Sequence, residues 1–310
     1  MRKRETFRVL FVILIAAAVL ILPAALTERA CATEGGGGAY PNGAEDFMVG
    51  ALPPPGVYFK NYMTYYTAST FKDNNGNDVT GPAGQKFKLN AFAETLRLIY
   101  VTKTEIFGAS WAMHAFLPIV YEDVTAPNGA TDNRWGLGDI IIDPFILGWH
   151  FPNFHVTTGL DIYLPTGTYN QDHLANAGRN YWTFEPIVAM TYLSDGGFEL
   201  SGKFMYDFNT ENSSTNYQSG QEFHFDYTVG YHIDKQWAVG LGGYCYIQTT
   251  DDKLNGVTPP DGFKGQVYAI GPQAQYSYKN MNFTLKWQYE FDAKNKPEGN
   301  KFWFNFVYAF

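Results

Sequence analysis

The chain has 310 residues, 45% of them hydrophobic and 17% aromatic, with 31 Gly, 22 Tyr and a formal net charge of −8. An acidic balance argues against a nucleic-acid partner, and two cysteines leave no cysteine metal cluster to build. Beyond the N-terminus no apolar run reaches the ~18 residues of a membrane-spanning helix. Even so, the chain is rich in aromatics and Gly at a mean hydropathy of only −0.23, the mixture that alternating strands of a membrane barrel produce.

At the N-terminus, Arg2, Lys3, Arg4 and Arg8 precede an apolar run from Val9 to Leu26 and a small-x-small site ending at Ala32. This pattern predicts a secretory signal peptide over residues 1–32. Its removal leaves 17 basic against 28 acidic side chains, a net charge of −11, with Cys245 as the remaining cysteine. Residues 33–56 form a leader containing the Gly35–Gly38 run and Pro41, Pro53, Pro54 and Pro55. Such a composition suits neither a helix nor a central strand. The leader is expected as a periplasmic tail or a partial plug of the barrel mouth.

From residue 57 to 310 the chain divides into about twelve strand-length segments: 57–71, 86–103, 107–121, 135–149, 154–164, 180–193, 198–209, 220–233, 236–248, 264–278, 281–291 and 300–310. Connections after even-numbered segments are tight, such as Asp234-Lys235 and Lys279-Asn280. Those after odd-numbered segments are long and polar, such as 72–85, 122–134 and 250–262. Short turns alternating with long loops are the plan of an outer-membrane barrel. The expected fold is therefore all-β: one transmembrane antiparallel barrel of about twelve strands in the bacterial outer membrane, facing lipid and lipopolysaccharide.

Alternation within segments agrees. Phe283, Leu285, Trp287, Tyr289 and Phe291 share one face of segment 11, with Thr284, Lys286, Gln288 and Glu290 on the other. Lipid accepts the apolar face, so the polar face lines the lumen. The last segment places Phe302, Phe304, Phe306, Tyr308 and Phe310 on one face, and its terminal aromatic resembles the closing strand by which assembly machinery recognises such barrels. Segments 2 and 4 alternate less cleanly, Arg97 falling opposite Glu94; a bulge would reconcile them.

On this projection Glu94, Asp143, Glu185, Lys203, Asp226 and Lys286 lie near mid-height in the lumen, and Asp139, Asp161 and Glu290 nearer the outer end. They either pair across strands, as Glu185 with Lys203, or form an acid-rich selectivity belt. The tryptophans mostly fall near segment ends, as an interfacial girdle does. Tyr163, Tyr244 and Tyr246 are the inward aromatics suited to touching a hydrophobic solute. The six histidines have no metal-ligand spacing, so neither metal nor cofactor is expected. Ser110 and His114 share a face of segment 3, but no nucleophile motif accompanies them, and no catalytic residues are assigned.

Three stretches carry a family resemblance: Ala51-Leu52-Pro53-Pro54-Pro55-Gly56-Val57-Tyr58, Gly136-Leu137-Gly138-Asp139-Ile140, and Leu164-Pro165-Thr166-Gly167 followed by Gly178-Arg179-Asn180-Tyr181-Trp182. Together they resemble the outer-membrane proteins of the meta-pathway of phenol degradation family. The resemblance covers most of residues 45–310. It implies a channel or transporter for small hydrophobic or aromatic compounds. The alternative is a structural or surface-interaction protein with a closed lumen.

Overall fold

The computed structural model describes residues 34–310 apart from residues 83 and 260; the predicted signal peptide lies outside them. Fifteen strands are present among the described residues: β1 (Gly56–Phe71), β2 (Lys88–Ile106), β3 (Ala109–Thr125), β4 (Thr131–Leu137), β5 (Ile140–His150), β6 (Phe154–Leu164), β7 (Thr183–Leu193), β8 (Phe198–Asn209), β9 (Tyr217–Gln218), β10 (Glu222–His232), β11 (Trp237–Gln248), β12 (Lys253–Leu254), β13 (Gln266–Tyr278), β14 (Met281–Lys294) and β15 (Pro297–Ala309). All but β9 and β12 form one antiparallel sheet, which the β2–β3 and β1–β15 pairings close into a ring. Because β4 and β5 are two halves of one stave, the barrel has twelve staves. Closure pairs every full-length stave on both sides, the condition for spanning lipid, and leaves the short β4 paired to β3 alone.

The period-2 pattern sorts the side chains. Leu285 is 63% exposed while the adjacent Lys286 is 5% exposed, so the apolar face points outward and the charged face inward. Leu98, Leu200, Leu241 and Phe302 continue the outer apolar belt. Trp149 and Trp303 depart from the expected girdle. Both are buried, and the Trp303 Nε1–H donates to Gln288 Oε1 at 2.9 Å inside the barrel.

Two expected loops are paired strands. The β3–β4 hairpin continues to Thr125 opposite Thr131, and β14 turns into β15 through Asn295 and Lys296. Ladder bonds persist past the apolar belt because the alternation continues there in polar residues.

Glu94 is not a lumen residue. The β1–β2 register runs unbroken from Gly56 opposite Val101 to Ala68 opposite Leu89, with no bulge to bring Glu94 and Arg97 onto one face. Arg97 points inward, so Glu94 points outward, where it accepts a bond from Asn61 Nδ2 at 2.9 Å. The irregularity lies instead in β5, whose register against β6 shifts between Ile142 and Leu147. The Asp143 carboxylate takes the two N–H groups beside this bulge, from Phe145 at 2.6 Å and Leu160 at 2.7 Å. It is thus committed to backbone and is no part of a water-facing belt.

Above the loop end of the barrel, β9 pairs with β12 around Asp252. Asp252 accepts bonds from Tyr217 Oη, from Gly220 N at 2.7 Å and from Gln248 Nε2 at 2.6 Å. Burial nevertheless pushes its carboxyl up to about 6. An unfolded Asp titrates near ~3.9, so the folded loop binds its proton more tightly than the unfolded one. The loop pair is therefore most stable below about pH 4 and loses that stability as pH rises through about 6. Hydrogen exchange, corrected for intrinsic rates, should show stronger protection of residues 249–259 at low pH than at neutral pH. Asp252→Asn should remove that difference.

Candidate functional site

The lumen is occupied by the leader, which descends from the loop end to the turn end. At the top, Glu34 Oε2 accepts from Asn212 Nδ2 at 2.8 Å, and Lys296 Nζ donates to Gly36 O at 3.0 Å. At the bottom, Met48 N donates to Glu199 Oε1 at 2.6 Å and Gly50 N to Thr191 Oγ1 at 2.9 Å. Residues 43–45 between them are held from two sides. Asp226 on β10 accepts from Tyr40 Oη at 2.7 Å, Gly43 N at 2.8 Å and Glu45 N at 3.0 Å. Lys286 on β14 donates to the carbonyls of Gly43, Ala44 and Glu45 at 2.7, 2.9 and 2.7 Å. One wall acid and one wall base thus satisfy a stretch of backbone that has no ladder partner, which a buried irregular segment requires.

The leader's own acids are also paired. Glu45 lies 3.1 Å from Lys60 Nζ and 3.4 Å from Arg97 Nη1, and Asp46 accepts from Asn305 Nδ2 at 2.6 Å. No signal in the sequence marks Lys60 or Asn305, and Arg97 stands out only as a break in alternation, because their partners lie in the leader rather than on a neighbouring strand.

The other predicted lumen residues form two further groups. Lys203 Nζ is 3.3 Å from Asp161 and 3.9 Å from Glu185, and Asp161 also meets His114 Nε2 at 2.7 Å. Arg97 Nη2 sits 2.8 Å from the other ring nitrogen of His114. Both nitrogens of His114 are therefore engaged, and Ser110 lies four residues along the strand, roughly 13 Å away. Glu290 accepts from Tyr66 Oη at 2.7 Å, from Tyr244 Oη and from Gly299 N at 2.8 Å. Tyr163 Oη donates to Glu185 at 3.1 Å. Tyr246 is buried beside Tyr244 in a cluster with Val267, Ala269 and Ala293, its ring 4.1 Å from Lys296 Nζ.

Asp139 ties together two of the motif stretches at the loop end, its own 136–140 and the 164–167 and 178–182 pair. Its carboxylate accepts from Gly167 N at 2.8 Å and Arg179 N at 2.7 Å. Leu137 and Ile140, on either side of the break between β4 and β5, bond Thr168 and Thr166. A Cβ on Gly167 would stand 2.6 Å from Gly178 Cα, so this crossing needs glycine. The break faces Pro118 on β3, which has no N–H to give a ladder; Gly138 N donates to Pro118 O at 2.9 Å.

Beside the upper leader lies a cavity of about 470 Å³. Leu89, Ala91 and Ala93 of β2 and Phe116, Pro118 and Val120 of β3 form its apolar wall, with Trp303 and Tyr62 on the next staves and Tyr40 of the leader opposite. Tyr163, Tyr244, Asp139, Asp161, Lys203 and Glu290 reach its margin. The β2–β3 wall is the part sequence reasoning missed. Its signal was the weak alternation of segment 2: apolar side chains occupy both faces there because one meets lipid and the other meets the cavity.

Fold and site define an outer-membrane β-barrel whose lumen is filled by its own N-terminal segment beside an apolar chamber. The chain belongs to the family described as the MetA-pathway of phenol degradation, which matches residues 68–306. It is similar in structure to an outer membrane channel from Pseudomonas putida F1, with a TM-score of 0.77 at 17% identity over 86% of this chain and 99% of that one. Weaker likenesses link it to the β domain of the Bordetella autotransporter BrkA (TM-score 0.48, 11% identity, 83% and 100% covered). The translocator domain of NalP from Neisseria meningitidis is similarly distant (TM-score 0.48, 9% identity, 84% and 91% covered). No curated protein matches the chain in sequence.

Two outcomes are expected. Asp139→Ala strips two part-buried N–H groups of their acceptor, a cost of about 1–3 kcal/mol. It should lower the temperature at which the folded band is lost in heat-modifiability gels and make residues 165–182 protease-sensitive. Asp226→Ala combined with Lys286→Ala removes six bonds to the leader. Single-channel conductance of the folded double variant in planar bilayers should rise several-fold over that of the parent.

Proposed function

We propose that this barrel carries small hydrophobic or aromatic compounds across the outer membrane, taking them up in the apolar chamber at the loop end. The observation that carries this reading is the chamber itself: about 470 Å³ of space with an aliphatic and aromatic wall, in a lumen otherwise packed with charge. Small-molecule sites occupy about 300–1,000 Å³, and an apolar hole of about 150 Å³ already takes benzene. Membership of a family named for phenol degradation supports the same solute class. So does the likeness to a solved outer membrane channel.

The loop end faces outside and the turn end the periplasm, as the short-turn rule requires. The signal peptide directs export, and the aromatic C-terminal strand ending in Phe310 engages the assembly machinery and then lipid and lipopolysaccharide. Nothing in the proposed role needs catalysis. Because the leader closes the lower lumen, a solute leaves the chamber either by displacing the leader or sideways past Pro118 and Gly138, where the ladder is thinnest. The dense bonding of the leader favours a second reading, in which the lumen stays closed and the loops act at the cell surface.

Ala93→Trp fills the chamber from the wall. With the parent protein in liposomes, a brominated phenol should quench the fluorescence of Trp303 saturably, and Trp303→Phe should remove that component. Ala93→Trp should weaken the binding at least tenfold. Linear, unsaturable quenching in the parent would favour the surface role.

A further inference from the structure

Four carboxylates stand in one row across adjacent staves. Asp161 is opposite Glu185, and Asp207 is opposite Glu222. The β7–β8 register, with Thr183 facing Asn209 and Ile187 facing Met205, puts Glu185 opposite Asp207. Like charges facing each other are destabilising even at a surface, and all four are at most 1% exposed. The outer two have partners: His114 and Lys203 serve Asp161, and Asn209 Nδ2 donates to Glu222 at 3.0 Å. The central two do not balance. Glu185 Oε1 meets only Lys203, at 3.9 Å, and neither oxygen of Asp207 has a hydrogen-bond donor.

His224 of β10 reaches into this gap from the diagonal position. It is fully buried, and neither ring nitrogen has a hydrogen-bond partner. Its Nε2 lies 3.2 Å from Asp207 Oδ2 and 3.5 Å from Glu185 Oε2. Ligand atoms held at about 2.1 Å from one ion stand roughly 3.0–3.5 Å apart, whether the geometry is octahedral or tetrahedral. The three side chains therefore have the identity, burial and spacing of a coordination set, and two facing buried carboxylates call for either a shared proton or a cation between them.

We propose that Glu185, Asp207 and His224 bind one divalent transition-metal ion inside the barrel wall. One imidazole with two carboxylates suits Zn²⁺ or a neighbouring first-row ion, whereas Ca²⁺ needs six to eight oxygens. The chamber supplies the path, since Tyr163 and Lys203 line it and both touch Glu185. An ion here ties β7, β8 and β10 together. It also fixes the imidazole against which the leader's Tyr40 packs, with ring centroids 5.1 Å apart. The site thus braces the leader in the lumen, a role separate from the solute the chamber takes.

The test uses the folded protein in a background carrying His150→Ala, His155→Ala and His173→Ala, which leaves His232, held 2.6 Å from Glu199, as the one other partly exposed imidazole among the described residues. Equilibrium dialysis against Zn²⁺ with elemental analysis should give one ion per chain. Co²⁺ in its place should give a d–d absorption band of mixed nitrogen and oxygen ligation that Zn²⁺ displaces. Asp207→Asn and His224→Gln should each abolish the bound ion while the heat-modified band shift is retained. Substoichiometric Zn²⁺ with no Co²⁺ band overturns the proposal and leaves a shared proton between the carboxylates. A full equivalent that survives Asp207→Asn in folded protein also overturns it. Should both variants fail to fold, the Co²⁺ band of the background protein decides.

Discussion

Asp226 and Lys286 set the architecture of the lumen because they solve a problem that a twelve-stave barrel creates. A ring of this size lies between the eight-strand barrels that side chains alone can fill and the 16–18-strand barrels that enclose an aqueous channel. The leader fills it, and a non-repetitive chain inside a barrel brings peptide groups that nothing in the ladder can satisfy. The acid accepts the leader's donors and the base supplies its carbonyls, across residues 43–45. Buried ion pairs commonly gain little over apolar packing. Here each charge is spent on several backbone groups, and breaking one orphans them all.

From that clamp follows an unequal lumen. Most of the charges that bind the leader lie on the staves from β8 round through β15 to β1, with Arg97 lower on β2, while the upper parts of β2 and β3 turn Leu89, Ala91, Ala93, Phe116 and Val120 inward where the upper leader does not fill the space. Polar contacts thus hold the plug to one side, and the apolar chamber is what remains on the other. Asp139 fixes the top of this arrangement by anchoring both arms of the 165–182 loop with one carboxylate.

The barrel was legible in the sequence because lipid imposes a strict period of two, and loop length by parity showed its direction. Segment 11 needed no correction of face. Glu94 misled because an acid in a strand was assumed to face inward, whereas Asn61 supports it on the outer surface. Asp226, Lys286 and Glu185 were found as lumen charges, but not their tasks. Those tasks depend on the leader's path and on three-strand registers, which no single segment encodes. His224 illustrates the limit: its neighbours Glu185 and Asp207 come from two other strands, so no spacing along the chain could reveal them.

The central claim is that the leader closes the lumen while the β2–β3 wall holds an aromatic solute. The most direct measurement is the anomalous diffraction of crystals soaked in a bromophenol. A bromine peak packed between Phe116 and Trp303, with the leader still clamped by Asp226 and Lys286, is the predicted result. Bromine lower in the lumen in place of the leader, or none inside the barrel, would contradict it.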